Sequence, residues 1–326
     1  MLCNARLRRW LLGALLALAA TQASGAPEAK MRLALFGDSL LDSGNVHRAT
    51  RLLGLDPAFP PSAPPYRRYW EGRFSNGPNA ADYLSARICG RLATPSLVVA
   101  DRVAQTCGVN FAFGGATAGY WQQGPSGAPA PGLRAQVELF AAALGGAAPA
   151  SALYVIWVGA DDYLFGAPQP QAVVGHIAAG VRDLHRIGAR RFVVLDLPDL
   201  GNLPLSAGTA RAARLARAAE THNRELSAAA RALRSTLPEI DLRLVAVSDL
   251  ARSLDLRPDP GPAAGCLERF LRLASACRSL EDALFYSAAG LPAPSPGFFW
   301  DELHPTTRAH RRIFEAIEQA LGPARR

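Results

Sequence analysis

The sequence predicts an α/β fold, a parallel sheet covered by helices on both faces, and two observations carry that expectation. Apolar runs of strand length recur along the chain, and segments of helical period separate them. Such runs suit strands that are buried on both sides. In order, the five candidate strands are residues 32–36, a short one near Val109, 153–158, 192–195 and 242–247. Residues 133–144 read as a helix, and residues 171–187 place Val174, Ala178, Val181 and Leu184 on one helical face. The uncharged stretch 139–160 is no membrane span, because Gly145, Gly146 and Pro149 break it into helix end, loop and buried strand.

Two segments fit no regular element. Residues 55–79 are rich in Pro and aromatic side chains (Phe59, Tyr66, Tyr69, Trp70, Phe74), and residues 115–132 form a Gly/Ala/Pro loop with Tyr120 and Trp121. Long loops at strand ends often hold substrate contacts, although the same aromatics could equally pack beneath the loops.

With 326 residues, 49% apolar and 19% charged, the chain has enough apolar surface to fold and is not a solvated polymer. Its only lysine is Lys30, which removes a Walker A loop, a Schiff base and a pyridoxal site. No glycines lie two positions apart, so the G-x-G of a dinucleotide fingerprint is absent, as are H-E-x-x-H and G-x-S-x-G. No metal or cofactor is expected.

At the N-terminus Arg6, Arg8 and Arg9 precede an uncharged apolar run from Trp10 to Ala20, and Ala23, Ser24 and Gly25 follow. Residues 1–25 therefore read as a secretory signal peptide cleaved after Gly25, with residues 26–326 as one domain that is secreted or periplasmic. The run is shorter than the roughly 20 residues a span needs. Cleavage removes three arginines and no acids, so the formal charge falls from +8 to +5. Residues 210–237 carry six arginines interrupted by Glu220 and Glu225, with no aromatic among them, which describes a solvated helix face and not a nucleic-acid surface. Four cysteines remain, and sequence proximity favours two disulfides, Cys89 with Cys107 and Cys266 with Cys277.

The string Gly37-Asp38-Ser39-Leu40-Leu41-Asp42-Ser43-Gly44-Asn45 directly follows the first strand. A serine at the carboxyl end of a parallel strand, with Gly37 allowing a tight turn into a helix, exposes its hydroxyl at the sheet's edge. Alone the triplet is weak, since Asp and Ser are ordinary helix caps. A nucleophilic serine also needs a base and a group that orients the base. Of the six histidines, His304 has a carboxylate three residues before it in Asp301-Glu302-Leu303-His304-Pro305, so Asp301 can reach Nδ1 and leave Nε2 free for a proton.

With these residues the chain resembles the GDSL, or SGNH, hydrolases, serine esterases and lipases defined by short sequence blocks. Gly37 to Asn45 resembles the nucleophile block, Asn110-Phe111-Ala112-Phe113-Gly114-Gly115-Ala116-Thr117 the second, and Asp301 to Pro305 the last. Gly72-Arg73-Phe74-Ser75-Asn76-Gly77 and Leu197-Pro198-Asp199-Leu200-Gly201 are similar to the secreted bacterial esterase and phospholipase branch. The resemblance implies a three-layer α/β/α fold with a flavodoxin-like, five-stranded parallel sheet, and ligands bound where the strand order reverses. It implies a catalytic triad of Ser39, Asp301 and His304, an acyl-enzyme intermediate, and no cofactor. The implied substrate is a small-molecule or lipid ester, as in an esterase, lipase or phospholipase A, with transient contact to a lipid surface. An acyltransferase or carbohydrate acetylesterase would use the same triad, and an impaired binding protein is the rival from another class.

The resemblance also implies an oxyanion hole made of the Ser39 and Gly115 N–H groups and a side-chain amide from a G-x-N-D block. Here the block is Gly159-Ala160-Asp161-Asp162, so an acid stands in place of the amide donor. An ionised Asp161 cannot donate and would face the developing negative charge, and losing one such donor costs about 10² to 10³ in turnover. A protonated Asp161 could donate as a neutral acid. A rearranged, noncatalytic Asp161 is the third possibility.

Overall fold

The computed structural model describes residues 31–62, 69–123, 129–237, 239–253 and 298–322. The leader assigned to residues 1–25, the Cys266–Cys277 pair and Tyr66 lie outside the described residues.

Strand β1 (Leu33–Gly37) leads through helix α1 (Asn45–Leu52) and an irregular segment to α2 (Ala80–Cys89), then to β2 (Thr94–Pro95) and β3 (Gly108–Asn110). A hairpin, β4 (Trp121–Gln123) with β5 (Pro129–Pro131), precedes α3 (Leu133–Ala143), β6 (Leu153–Trp157), α4 (Ala160–Leu164) and α5 (Pro170–Arg186). The chain continues through β7 (Arg191–Leu195), α6 (Ala212–Thr236), β8 (Asp241–Val245) and α7 (Val247–Ser253), and α8 (Thr307–Leu321) follows. The main sheet is parallel throughout, in the order β2-β3-β1-β6-β7-β8.

The period-two geometry of the strands divides the core into two faces. Ala34, Phe36, Tyr154, Ile156, Phe192 and Val194 point to the side covered by α3, α5 and α6. Leu33, Leu35, Val155, Trp157, Val193 and Leu195 point to the other, covered by α2 and by Ile313 and Ile317 of α8. Every residue of β1 is buried, so the sheet is the middle of three layers. Each fully buried side chain of this size is worth roughly 1.5–3 kcal/mol.

Five strands were predicted and the sheet has six. The addition, β2, is two residues long and ends in proline, so it carries no periodicity to detect and sits at the edge, where a missing N–H is tolerated. The loop expected at residues 115–132 contains the β4–β5 hairpin, equally short and proline-bearing. Nor does a helix follow Ser39 directly. Residues 38–42 form a single turn closed by Leu41 and Asp42 N–H groups on the Asp38 carbonyl, and α1 begins only at Asn45.

Other expectations stand. Residues 139–160 run through the end of α3, a loop and β6, and no described helix is long and apolar enough to cross a membrane. Cys89 and Cys107 form a disulfide that ties the end of α2 to the start of β3. Leaving β2 aside, the strand order reverses between β1 and β6, and Ser39 and Asp161 follow the carboxyl ends of these two neighbours.

Candidate active site

The turn that carries Ser39 is fixed by its surroundings. A Cβ on Gly37 would lie 2.1 Å from the Trp157 carbonyl oxygen, so only glycine lets β1 and β6 run so close there. Gln136 of α3 clamps the same residue, accepting from Gly37 N–H at 2.9 Å and donating to its carbonyl at 2.8 Å. Asp42 accepts from the N–H groups of Gly44, Asn45 and Val46 and, across the loop, from Gly114 at 3.0 Å. Asn45 donates to the carbonyls of Asn110 and Ala112, and Asn110 donates to Leu41 O and Ser43 Oγ. The first and second sequence blocks therefore hold each other in place.

On one side of Ser39 lies His304. Its Nε2 accepts from Ser39 Oγ at 2.9 Å, and its Nδ1–H donates to Asp301 Oδ2 at 2.7 Å. Asp301 Oδ1 accepts from the backbone N–H groups of Leu303 and His304, both at 2.7 Å, so the carboxylate that closes the turn also orients the imidazole. Tyr69 O–H adds a fourth hydrogen bond, to Oδ2 at 2.7 Å. Burial works against the Asp301 charge, but the His304 imidazole, its N–H groups and the Tyr69 hydroxyl outweigh it and hold the carboxyl below its ordinary range. The Phe74 ring lies 4.9 Å from that of His304 and backs it from outside the triad.

On the other side lies Asp161. The Gly115 N–H donates to its carboxyl, whose Oδ2 is buried without a partner. Burial, and then the neighbouring Asp38 carboxyl, push Asp161 well above the usual carboxylate range; the His304 imidazole and the Gly115 N–H oppose this without reversing it. Asp38 is itself pushed up to about 7, chiefly by burial, and its Oδ2 is also unpaired. The structure therefore brings together Ser39, Asp301, His304 and Asp161, with Gly115 attached through its N–H to Asp161.

Comparison with known proteins decides the family. The model of the GDSL-like lipase/acylhydrolase family matches residues 33–317, most of the chain. The chain belongs to this family. It is 27% identical over 350 residues to a phosphatidylcholine-sterol acyltransferase of Aeromonas hydrophila, covering 95% of this chain and 96% of that protein. It is 30% identical over 195 residues to a GDSL esterase/lipase of Arabidopsis thaliana, covering 53% of this chain and 50% of that one. A solved carbohydrate acetylesterase of Sinorhizobium meliloti overlays with a TM-score of 0.43 at 13% identity, covering 88% of this chain and 96% of that one.

In this GDSL-family ester hydrolase, Ser39, His304, Asp38 and Asp161 line a cavity of about 330 Å³. Its remaining walls are mostly apolar, with Leu40, Trp157, Leu164, Leu200, Phe298 and Phe299 prominent. Leu40 follows β1, Trp157 ends β6, Leu164 closes α4, Leu200 follows β7, and Phe298 and Phe299 precede Asp301; among the described residues none of the lining comes from the two aromatic loops. Phe59, Tyr69 and Phe74 are buried behind the triad, whereas Tyr120 and Trp121 are partly exposed away from the cavity. Hence the packing alternative holds for Phe59, Tyr69 and Phe74.

Sequence reasoning missed three supports of the site. Arg73 donates twice to Asp82, from Nε at 3.0 Å and from a terminal nitrogen at 2.9 Å, and so anchors the loop that carries Tyr69 and Phe74 to α2. Gln136 holds the Ser39 turn, as described. His222, buried and pushed down to about 4 by that burial, hydrogen-bonds Tyr163 at 2.9 Å and braces α4, which carries Asp161. Gln136 and His222 act on segments distant in sequence, so no local pattern marks them, whereas Arg73 lies in the Gly72–Gly77 string with nothing there to show that its partner is Asp82.

Proposed function

We propose that the protein is an exported carboxylic ester hydrolase that works through an acyl-enzyme on Ser39, with His304 as base and Asp301 as its orienting group. The observation that carries this is the continuous hydrogen-bonded chain from Ser39 Oγ through His304 to Asp301 at the wall of an apolar cavity. Ser39 Oγ attacks the ester carbonyl as its proton passes to His304 Nε2. The tetrahedral intermediate then collapses, and the departing alkoxide takes that proton. Water repeats the sequence on the acyl-enzyme, with His304 again accepting and returning a proton.

The oxyanion formed in each half meets the Ser39 N–H and Asp161. A neutral Asp161 suits its observed surroundings, because one oxygen accepts from Gly115 and the buried, unpaired Oδ2 can carry the proton. In that form it replaces the amide donor of the family block. The apolar walls suit an acyl chain, which supports lipid or simple alkyl esters as substrates. Export rests on the basic and apolar pattern of residues 1–25 and is tested by the N-terminal sequence of the mature protein.

A second reading is favoured by the relative named as a phosphatidylcholine-sterol acyltransferase, which matches nearly its full length. The same acyl-enzyme would then pass its acyl group to an alcohol in place of water. Product analysis with a phospholipid, with and without a sterol, separates the two. The decisive assay is hydrolysis of short and long chromogenic esters by the purified mature protein beside Ser39→Ala and His304→Ala. Each variant is expected to lose about 10⁴-fold or more of its turnover. Equal rates from the variants and the native protein would defeat the reading.

A further inference from the structure

Tyr69 sits 232 residues before Asp301 in sequence, is 2% exposed, and donates its hydroxyl to the same carboxylate oxygen that receives His304 Nδ1–H. Nothing in the sequence blocks assigns it a role. Its segment is built to hold it: Tyr69 N–H donates to Pro61 O, Trp70 N–H to Ser75 O, and Arg73 locks the segment to Asp82. Its ring is 6.3 Å from Phe74, which in turn lies against His304. Tyr69 does not line the cavity, so it touches no substrate.

We propose that Tyr69 is a positioning residue which acts through Asp301, fixing the carboxylate's rotation and sharing its charge so that the pull of Asp301 on His304 is moderated. The inference rests on the triad proposed above. Asp301 has four donors, and two of them converge on Oδ2. Removing one leaves the carboxylate's charge less dispersed, so it attracts the Nδ1 proton more strongly and favours the imidazolium.

The other groups facing this pair give no competing source for such a change. His310 of α8, pushed down to about 3 by burial and by His304, is neutral through the working range. Asp161 faces His304 from α4, is held high by its burial and by Asp38, and remains in place in every variant below. The Ser39 hydroxyl and the uncharged Phe74 ring also contact His304.

The test is Tyr69→Phe, which keeps the ring and deletes only the hydroxyl, assayed as kcat and KM against pH with a short chromogenic ester. The acid limb of kcat/KM is expected to move up by about half to one pH unit, with plateau kcat down roughly three- to tenfold and KM within about twofold. In an Asp301→Ala background, adding Tyr69→Phe should change kcat by less than about twofold, because the hydroxyl no longer has a carboxylate to act on. A folded Tyr69→Phe protein with an unmoved acid limb overturns the proposal, and so does an undiminished effect in the Asp301→Ala background. Ser39→Ala and His304→Ala run alongside distinguish the failures: if they keep full activity the triad reading fails, and if they are inactive while Tyr69→Phe behaves as the native protein, only the role of Tyr69 falls.

Discussion

Asp301 and Asp161 are both buried carboxyls beside the same serine–histidine pair, and their environments drive them in opposite directions. Asp301 collects two backbone N–H groups, an imidazole N–H and a tyrosine hydroxyl, and is held below its usual range. Asp161 has the Gly115 N–H, an unpaired Oδ2 and a second acid, Asp38, nearby, and is driven above it. Burial raises both; at Asp301 the His304 imidazole and the hydrogen-bond donors outweigh it, whereas at Asp161 the neighbouring Asp38 adds to it. In the proposed mechanism one residue type therefore serves as an anion beside His304 and as a neutral acid beside the oxyanion.

The strongest way to break this comparison is to make the same substitution at both positions. Asp301→Asn removes the anion that selects the tautomer and should lower kcat by about 10⁴-fold. Asp161→Asn restores an amide donor and should change kcat by less than about tenfold near neutral pH. Equal losses in steady-state assays would show that the two carboxyls do one job. A large rise in Asp161→Asn would show instead that the native Asp161 is ionised during turnover.

A smaller effect is expected in the pH profile. The donor proton on Asp161 is lost as pH rises through its elevated value, so the native enzyme should lose activity early on the alkaline side, and Asp161→Asn should extend that limb upward. Rate profiles that coincide above neutrality would contradict this.

Stability should diverge with the same signs. An elevated carboxyl keeps a proton that the unfolded chain releases, so its cost to stability is absent below about pH 4 and grows as pH rises toward the folded value. Asp161→Asn should therefore raise the melting temperature at pH 7 and leave it unchanged at pH 4. Asp301 is depressed, so its contribution is present above about pH 4 and is lost as pH falls through the folded value. Asp301→Asn should therefore destabilise at pH 7, by roughly 1–3 kcal/mol, and progressively less in acid. Thermal melts at several pH values read both trends.

The smallest effect on either carboxyl is expected from the disulfide, which lies away from both. Replacing Cys89 and Cys107 by serine opens a closure of 18 residues and should cost about 3 kcal/mol in denaturant melts. The kcat ratio between the two Asp variants should stay within about twofold.

The sequence by itself determined the layer arrangement, because strand-length apolar runs and 3.6-period helices leave few ways to bury both. It also determined the shortest-range geometry of the candidate site. Asp301 and His304 lie one turn apart, so their pairing follows from local backbone geometry, and the place of Ser39 follows from the glycine turn after β1. Cys89 with Cys107 belongs to the same local class. Strand β2 and the β4–β5 hairpin were not legible, since two or three residues containing proline carry no period and depend on a neighbour for pairing.

Only the tertiary structure decided which side chains complete the site. Tyr69 reaches Asp301 across 232 residues of sequence, Gln136 reaches Gly37 across 99, and the cavity walls come from segments scattered from Leu40 to Ile313. It also sets the direction in which the Asp161 carboxyl is pushed. The acid in place of the amide is visible in the chain, but the upward push on its carboxyl comes from burial and from the neighbouring Asp38, and no local pattern encodes either.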